Sequence, residues 1–583
     1  MRLNFLILLI LFSIVDNCGS AQISDTYDSG FRAEVNGFSF QNYGDETPTI
    51  GITPSEMQRM FGENVCFGTA EGKCILSPPA RVWMELANKA MNYFGHCEGM
   101  AVLSILMYSN QTAPTNFGGS EADKLSLENE LLQREIAYWW ATQVTTPGRS
   151  RKVDESANVV LDTLINTFKN GRQATEWWTL GIYQPDGNGG HAITPCAVEN
   201  LSNGSARILV YDNNFPKITR SVEIDRITNT WKYHTSINPD EPSELYAGNA
   251  STKNLEVVSV PPRLGLQNCE FCDDITNSGL GNTKGALAGQ SRIQFWVNGS
   301  AKLLVTDANG MRTGYLDSGQ FINEIPSAEA IRLKFLGNPG LIEYEPVLNV
   351  PAGEEIKAQL TGSGQPSNSD WAGIGSYYYF RVQGQDLKPG EKIDVTTSTN
   401  GNEYTIQFSA PNFISPKTVL FTLGIRTPTR SYEFAIKEAK FDPSGSFVFH
   451  YHYDPDQLTN IFTSETIGNA DPGLFNCEIT VTDGMQQIIA NNDITQKMGS
   501  KITLYLDQIE GDSIVADVQN GDIITKTTLY DNPGLHPDGQ ANPTGIETGD
   551  GSTSPGLSTG EIPPLISPTL TPSDYKLVVY VNH

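Results

Sequence analysis

Histidine is scarce in this chain, seven in 583 residues, which makes each one informative. Basic residues are outnumbered: 39 Lys and Arg stand against 66 Asp and Glu, a formal charge of -27. Phosphate recognition relies on neutralisation by Lys and Arg, so nucleic acid and anionic membrane surfaces are set aside as partners. No long apolar run follows Val15, and no integral membrane segment is expected in the mature chain. The phosphate-cradling Gly-x-x-x-x-Gly-Lys-Ser/Thr loop, the dinucleotide fingerprint and the twelve-residue calcium loop are all missing. No cofactor and no resident metal are therefore expected.

What is present begins with an export signal over residues 1–21: Arg2, the apolar stretch Phe5 to Val15, then small residues at Gly19 and Ala21. A lipid-anchored reading through Cys18 competes with it, but Asp16 and Asn17 precede that cysteine where small or aliphatic residues are wanted. Loss of Cys18 leaves an odd seven cysteines, so at least one stays unpaired. Outside the cell the local pairs Cys66 with Cys74 and Cys269 with Cys272 are the disulfide candidates. Zinc would need those four thiols reduced, and only Cys269 with Cys272 has CxxC spacing. His450-Tyr451-His452-Tyr453-Asp454 alternates as one face of a strand does. Five Asn-x-Ser/Thr sequons, at Asn110, Asn200, Asn203, Asn249 and Asn298, are candidate glycan sites of a secreted chain.

At this length the chain divides into roughly three to five units. Residues 22–75 are polar and Gly-rich, a leading segment or a propeptide-like cover. Residues 76–262 form an α+β domain. Val82, Leu86, Ala90 and Phe94 repeat every four, Ser120 with Asp123 opens a second helical stretch, and a third runs from Asp154 to Phe168 before Asn170-Gly171. Strands follow at Trp177–Tyr183, His191–Val198, Ala206–Asp212 and Ile218–Ile224. Residues 263–289 link to all-β text, read as two or three Ig-like sandwich modules over 290–450 and 451–531. A Pro/Gly/Ser/Thr-rich linker and tail fills 532–583.

Two positions carry chemistry. Cys97, in Gly95-His96-Cys97-Glu98-Gly99, precedes an apolar helical stretch to Tyr108, so its sulfur sits at a helix start whose unpaired N–H groups favour negative charge. Gly95 and Gly99 would let a substrate backbone approach. His191 follows Gly187, Gly189 and Gly190 at a strand mouth, open to a cleft, and an imidazole there is the natural proton acceptor for a thiol. A two-residue turn at Asn203-Gly204 sets His191 opposite Pro216, with Asp212 and Asn214 on its face and Asn213 turned away. Asp212 then lies four residues short, a gap that a twist or bulge must close.

With its nucleophile on a helix start, Gly-His-Ala at 190–192 and a strand ending in Asp212-Asn213, the chain resembles the papain-like cysteine peptidase superfamily, with transglutaminase-like folds as near relatives. The likeness covers roughly residues 75–262. It implies Cys97 as nucleophile, His191 as base and Asp212, or alternatively Asn213 or Asn214, as orienting residue. Papain-type enzymes hold a Gln six positions before the nucleophile as an oxyanion donor. Here Met91 stands there, and Asn92 is the nearest amide side chain. Glu98 replaces the Trp common after the thiol, so substrate contacts differ. The expectation is a secreted or cell-surface cysteine hydrolase that cleaves peptide or isopeptide bonds of a protein or peptide substrate. The alternatives are an amine-accepting acyl transferase, or an inactive adhesion protein whose partner is a cell-surface protein or polymer.

Overall fold

The computed structural model describes residues 22–530 except 45–48, 71, 186–188, 237–238, 273–291, 335–345, 364–367, 377, 401–402, 414–416, 427–429, 442–444, 455–458, 468–473, 483–485, 496–498 and 511–512. The export signal, Cys18, Gly187 and the 532–583 tail lie outside these residues. β-Strands in several sheets dominate, and among the described residues the α-helices lie in the first third.

The first sheet is antiparallel, in the order Glu244–Asn249, Thr230–Thr235, Thr219–Asp225, Ser205–Tyr211, Gly190–Leu201, Trp178–Tyr183, Leu255–Ser259, Lys152–Val153. Helix Ala157–Phe168 buries Val160, Leu161, Leu164 and Phe168 against it. Each such side chain contributes about 1.5–3 kcal/mol by leaving water. Helix Cys97–Tyr108 is apolar apart from Glu98 and Ser104 and is buried on every side. Helix Pro78–Phe94 buries Val82, Leu86 and Ala90, the stripe its four-residue spacing calls for.

Three local expectations are revised. Ser120 and Asp123 open only a single 3-10 turn, Ala122–Lys124; the long helix is Glu130–Ala141, capped by the Asn129 side chain, which accepts from Leu132 N at 3.1 Å. The 201–205 turn is a three-residue loop, because Gly204 takes the left-handed conformation (φ +82°) that such loops end on. Residues 22–76 are built into the domain: strand Ile23–Asp28 pairs with the far half of Gly190–Leu201, and Phe31, Phe38, Met57 and Met60 are core residues. The Cys66–Cys74 disulfide closes the hairpin Cys66–Ala70/Lys73–Leu76.

From Arg292 to Tyr530 successive hairpins alternate between two further antiparallel sheets, one of nine and one of eleven strands. A single apolar cluster from Ile293 to Ala516 fills the space between them, with alternate residues turned inward as in Glu355–Gly362. The strand Ser446–Asp454 runs through position 450 inside this common core. The outer face of the nine-stranded sheet receives helix Pro78–Phe94. Trp83 is buried against Trp296 and Phe271, and its Nε1–H donates to Gln294 Oε1 at 2.7 Å. Arg381 bridges Asp370 of the sheet and Glu85 of the helix, and Lys89 reaches Asp370.

No helix among the described residues is long and apolar enough to cross a membrane. Of the sequons, Asn110, Asn203 and Asn249 are exposed, whereas Asn298 is buried and closed to a glycan.

Candidate active site

Cys97 is the first residue of its helix and packs on Ala101 and on Ala192, the residue after His191. The strand Gly190–Leu201 therefore delivers the imidazole to the helix start. Asn213 joins the two: its Nδ2 donates to the carbonyls of Cys97 (3.0 Å) and Ala192 (2.9 Å). Asn214 is spent elsewhere, donating to Ser236 O at 2.8 Å. Neither alternative orienting residue orients the histidine; Asp212 does.

His191 Nε2–H donates to Asp212 Oδ1 at 2.7 Å. The gap of four residues narrows to two in two steps. The three-residue turn shifts the pairing once, and a bulge at Cys196 shifts it again, so that Thr194 faces Tyr211 and the register, carried on, sets His191 against Asn214. Two one-residue shifts restore the original face and halve the offset. The bulged carbonyl of Cys196 is satisfied by Ser29, through its N–H at 3.0 Å and its hydroxyl at 2.6 Å.

Asp212 is fully buried yet ionised. Burial pushes its carboxyl up, but the imidazole, the Tyr233 hydroxyl at 2.5 Å and the Asn214 N–H at 2.9 Å hold it below its ordinary value. The same pair acts on His191: burial pulls the imidazole down, and the Asp212 carboxylate, helped by the nearby Cys97 sulfur, outweighs it and raises the ring to about 10. His191 Nδ1, the nitrogen not used by Asp212, has no hydrogen bond among the described residues. The thiol is instead donated to the carbonyl of Lys334, Sγ to O 3.2 Å.

The expected open cleft is thus closed. Cys97 and His191 are both 0% exposed, and the covering segment is Arg332–Leu333–Lys334, far along the chain. Lys334 N–H donates to Gln143 Oε1 at 3.0 Å, and the Leu333 carbonyl approaches Gly190 so closely that a Cβ there would stand 3.3 Å away. A cavity of about 500 Å³ continues beside the segment, lined among others by Tyr183, Glu256, Arg332 and Lys334. Comparison with protein-family models, curated proteins and solved structures finds no match.

Glu98, one residue past the sulfur, turns inward and is also fully buried. It accepts from Arg263, from Lys334 Nζ at 3.1 Å and from the Thr179 hydroxyl at 3.2 Å. Burial would raise its carboxyl, but the two cations hold it below its ordinary value. Gly99 serves helix packing rather than substrate approach: a Cβ there would meet the Ile136 carbonyl at 2.0 Å. Gly95 ends the preceding helix at φ +87° and lies against the Asn42 amide.

Asn92 is committed elsewhere, its Oδ1 accepting from the Thr49 hydroxyl at 2.6 Å. The amide side chain beside the helix start is Asn42, whose Oδ1 accepts from His96 N at 2.7 Å. Sequence reading missed it, because nothing local marks an Asn more than fifty positions upstream. His96 is no second base. It stacks on Tyr43 at 4.2 Å, donates Nδ1–H to Tyr43 O at 2.9 Å, and burial pulls its imidazole down to about 4.

The other sequence candidates fall outside the site. Cys269 and Cys272 form a disulfide, and Cys196 is a buried free thiol pushed up by burial. His450 Nδ1 shares a hydrogen bond with the Thr405 hydroxyl, and no group of three His, Cys, Asp or Glu able to hold a metal occurs among the described residues.

Proposed function

We propose that this chain is an exported thiol hydrolase with a papain-like α+β domain, acting on peptide or isopeptide carbonyls through Cys97, His191 and Asp212. The observation that carries the reading is the division of labour on one ring. Asp212 holds Nε2 of His191, which leaves Nδ1 for the sulfur at the first turn of a buried helix.

In the acting pair one proton is shared between sulfur and ring. The thiolate adds to the acyl carbon, and the helix-end N–H groups stabilise the oxyanion. The imidazolium then gives its proton to the departing amine as the C–N bond breaks. Water, deprotonated by the same ring, cleaves the thioester and returns the sulfur. Asp212 stays anionic throughout and fixes the ring's orientation, with Tyr233 and the Asn214 N–H holding the carboxylate in turn.

One observation favours a second reading, an inert scaffold: the sulfur and the imidazole are wholly covered in the resting chain. Labelling separates the two. A small epoxide or iodoacetamide probe is expected to modify Cys97, slowly in the native chain, and Cys97→Ala is expected to abolish that adduct while the far-ultraviolet spectrum stays unchanged. Absence of a Cys97 adduct even after prolonged exposure, in a chain that denatures cooperatively, supports the scaffold.

A further inference from the structure

The cover is itself shaped like an occupant. Main chain of Arg332–Lys334 crosses the sulfur, with the Lys334 carbonyl on the Cys97 thiol and its N–H on Gln143. The Lys334 side chain enters a closed slot and is 3% exposed. Gly181 forms one wall: a Cβ there would stand 2.9 Å from Lys334 Cε and from Glu256 Cγ, so glycine leaves both stems their room. At the end of the slot the ammonium meets two carboxylates, Glu98 Oε2 at 3.1 Å and Glu256 Oε1 at 3.3 Å.

Charge in the slot is matched best when it is filled. Arg263 answers Glu98, while among the described residues Glu256 is met most closely by Lys334 and by the Tyr183 hydroxyl at 2.7 Å, with Lys152 at 3.9 Å and Arg149 farther off. Withdrawal of the ammonium takes the nearest cation from a nearly buried carboxylate and leaves it the longer Lys152 contact, a costly state that a second basic side chain would relieve.

We propose that the slot formed by Gly181, Glu98 and Glu256 is the specificity pocket for a lysyl side chain on the acyl side of the bond cleaved, and that Arg332–Lys334 occupies it in the resting chain as a built-in competitor. This rests on the thiol-hydrolase reading and adds substrate class and regulation to it. Glu256 is a specificity residue. Gln143 recognises the main chain and is indifferent to side-chain identity.

The test uses the full chain with Lys334→Ala, and Lys334→Met as a second variant that keeps most of the stem and its packing. Labelling of Cys97 by iodoacetamide is expected to rise at least about tenfold in Lys334→Ala. In that background, hydrolysis of short peptidyl fluorogenic amides is expected to prefer lysine over leucine at the acyl position by at least about 100-fold. Glu256→Gln, added to it, should raise KM for the lysyl substrate about tenfold or more and leave iodoacetamide labelling unchanged. Faster labelling with no lysine preference, or a preference indifferent to Glu256→Gln, overturns the pocket and leaves the nucleophile standing. No labelling of Cys97 in either folded Lys334 variant removes the hydrolase reading itself.

Discussion

Cys97→Ala, introduced into the Lys334→Ala chain, is expected to lose amide hydrolysis by about 10⁴- to 10⁶-fold, the range that removal of a nucleophile from a cooperating triad costs. The loss should fall on kcat, because the slot that binds the side chain and Gln143, which binds the main chain, are untouched. His191→Gln should lose nearly as much, and the double variant no more than either alone, since the two groups act as one unit. Cys196→Ala is the control. That thiol is free and buried beside the bulge and should be silent in the assay. The check is steady-state kinetics on a lysyl amide with active-site titration of each preparation. Retention of more than about a hundredth of the activity in Cys97→Ala would transfer the chemistry to another residue.

The second large effect is on stability. Breaking a buried ion pair by removing one partner costs about 3–5 kcal/mol, because the survivor is left charged and uncompensated. His191→Gln does this to Asp212, which is 0% exposed. The sign with pH follows from the ring being raised to about 10 from an ordinary 6.5. Stabilisation by the pair is complete below the unfolded value near 6.5 and is lost as pH rises through about 10. The native chain should therefore outlast His191→Gln by the full margin at pH 6, and the margin should shrink toward pH 10. Denaturant unfolding of both chains across that range measures it. A margin independent of pH would mean that the ring is neutral in the folded chain.

Much of this site was legible in residue order, because each piece is local. A helix start is written by Gly95 and the apolar run after Cys97, and the strand by the alternation after His191. Strand bounds fell within a few residues for the same reason, and so did the Cys66–Cys74 and Cys269–Cys272 pairs. Asp212 comes to lie against His191 for a subtler cause: the turn and the bulge at Cys196 each moved the register by one, and parity survived both.

Long-range packing was not legible. Asn42, Gln143 and Lys334 reach the site from separate elements, and no spacing rule links position 334 to position 97. Glu98 reads in sequence as a missing aromatic, and only the fold turns it toward Arg263 and Lys334. Gly99 shows the reverse, a glycine read as substrate access that is consumed by the carbonyl of Ile136. In the second half, alternation announces strands but not partners. Successive hairpins pass to and fro between two sheets around one core, a pattern that β-text alone does not distinguish from separate modules.

The most direct test of Cys97 and His191 as a working pair is peptide mapping of the Lys334→Ala chain after reaction with a lysyl-peptide acyloxymethyl ketone, a reagent that needs an activated thiolate. The expected result is one adduct per chain on Cys97, formed at least about 100-fold more slowly in His191→Gln. An adduct on Cys196 instead, or an equal rate without the imidazole, would contradict it.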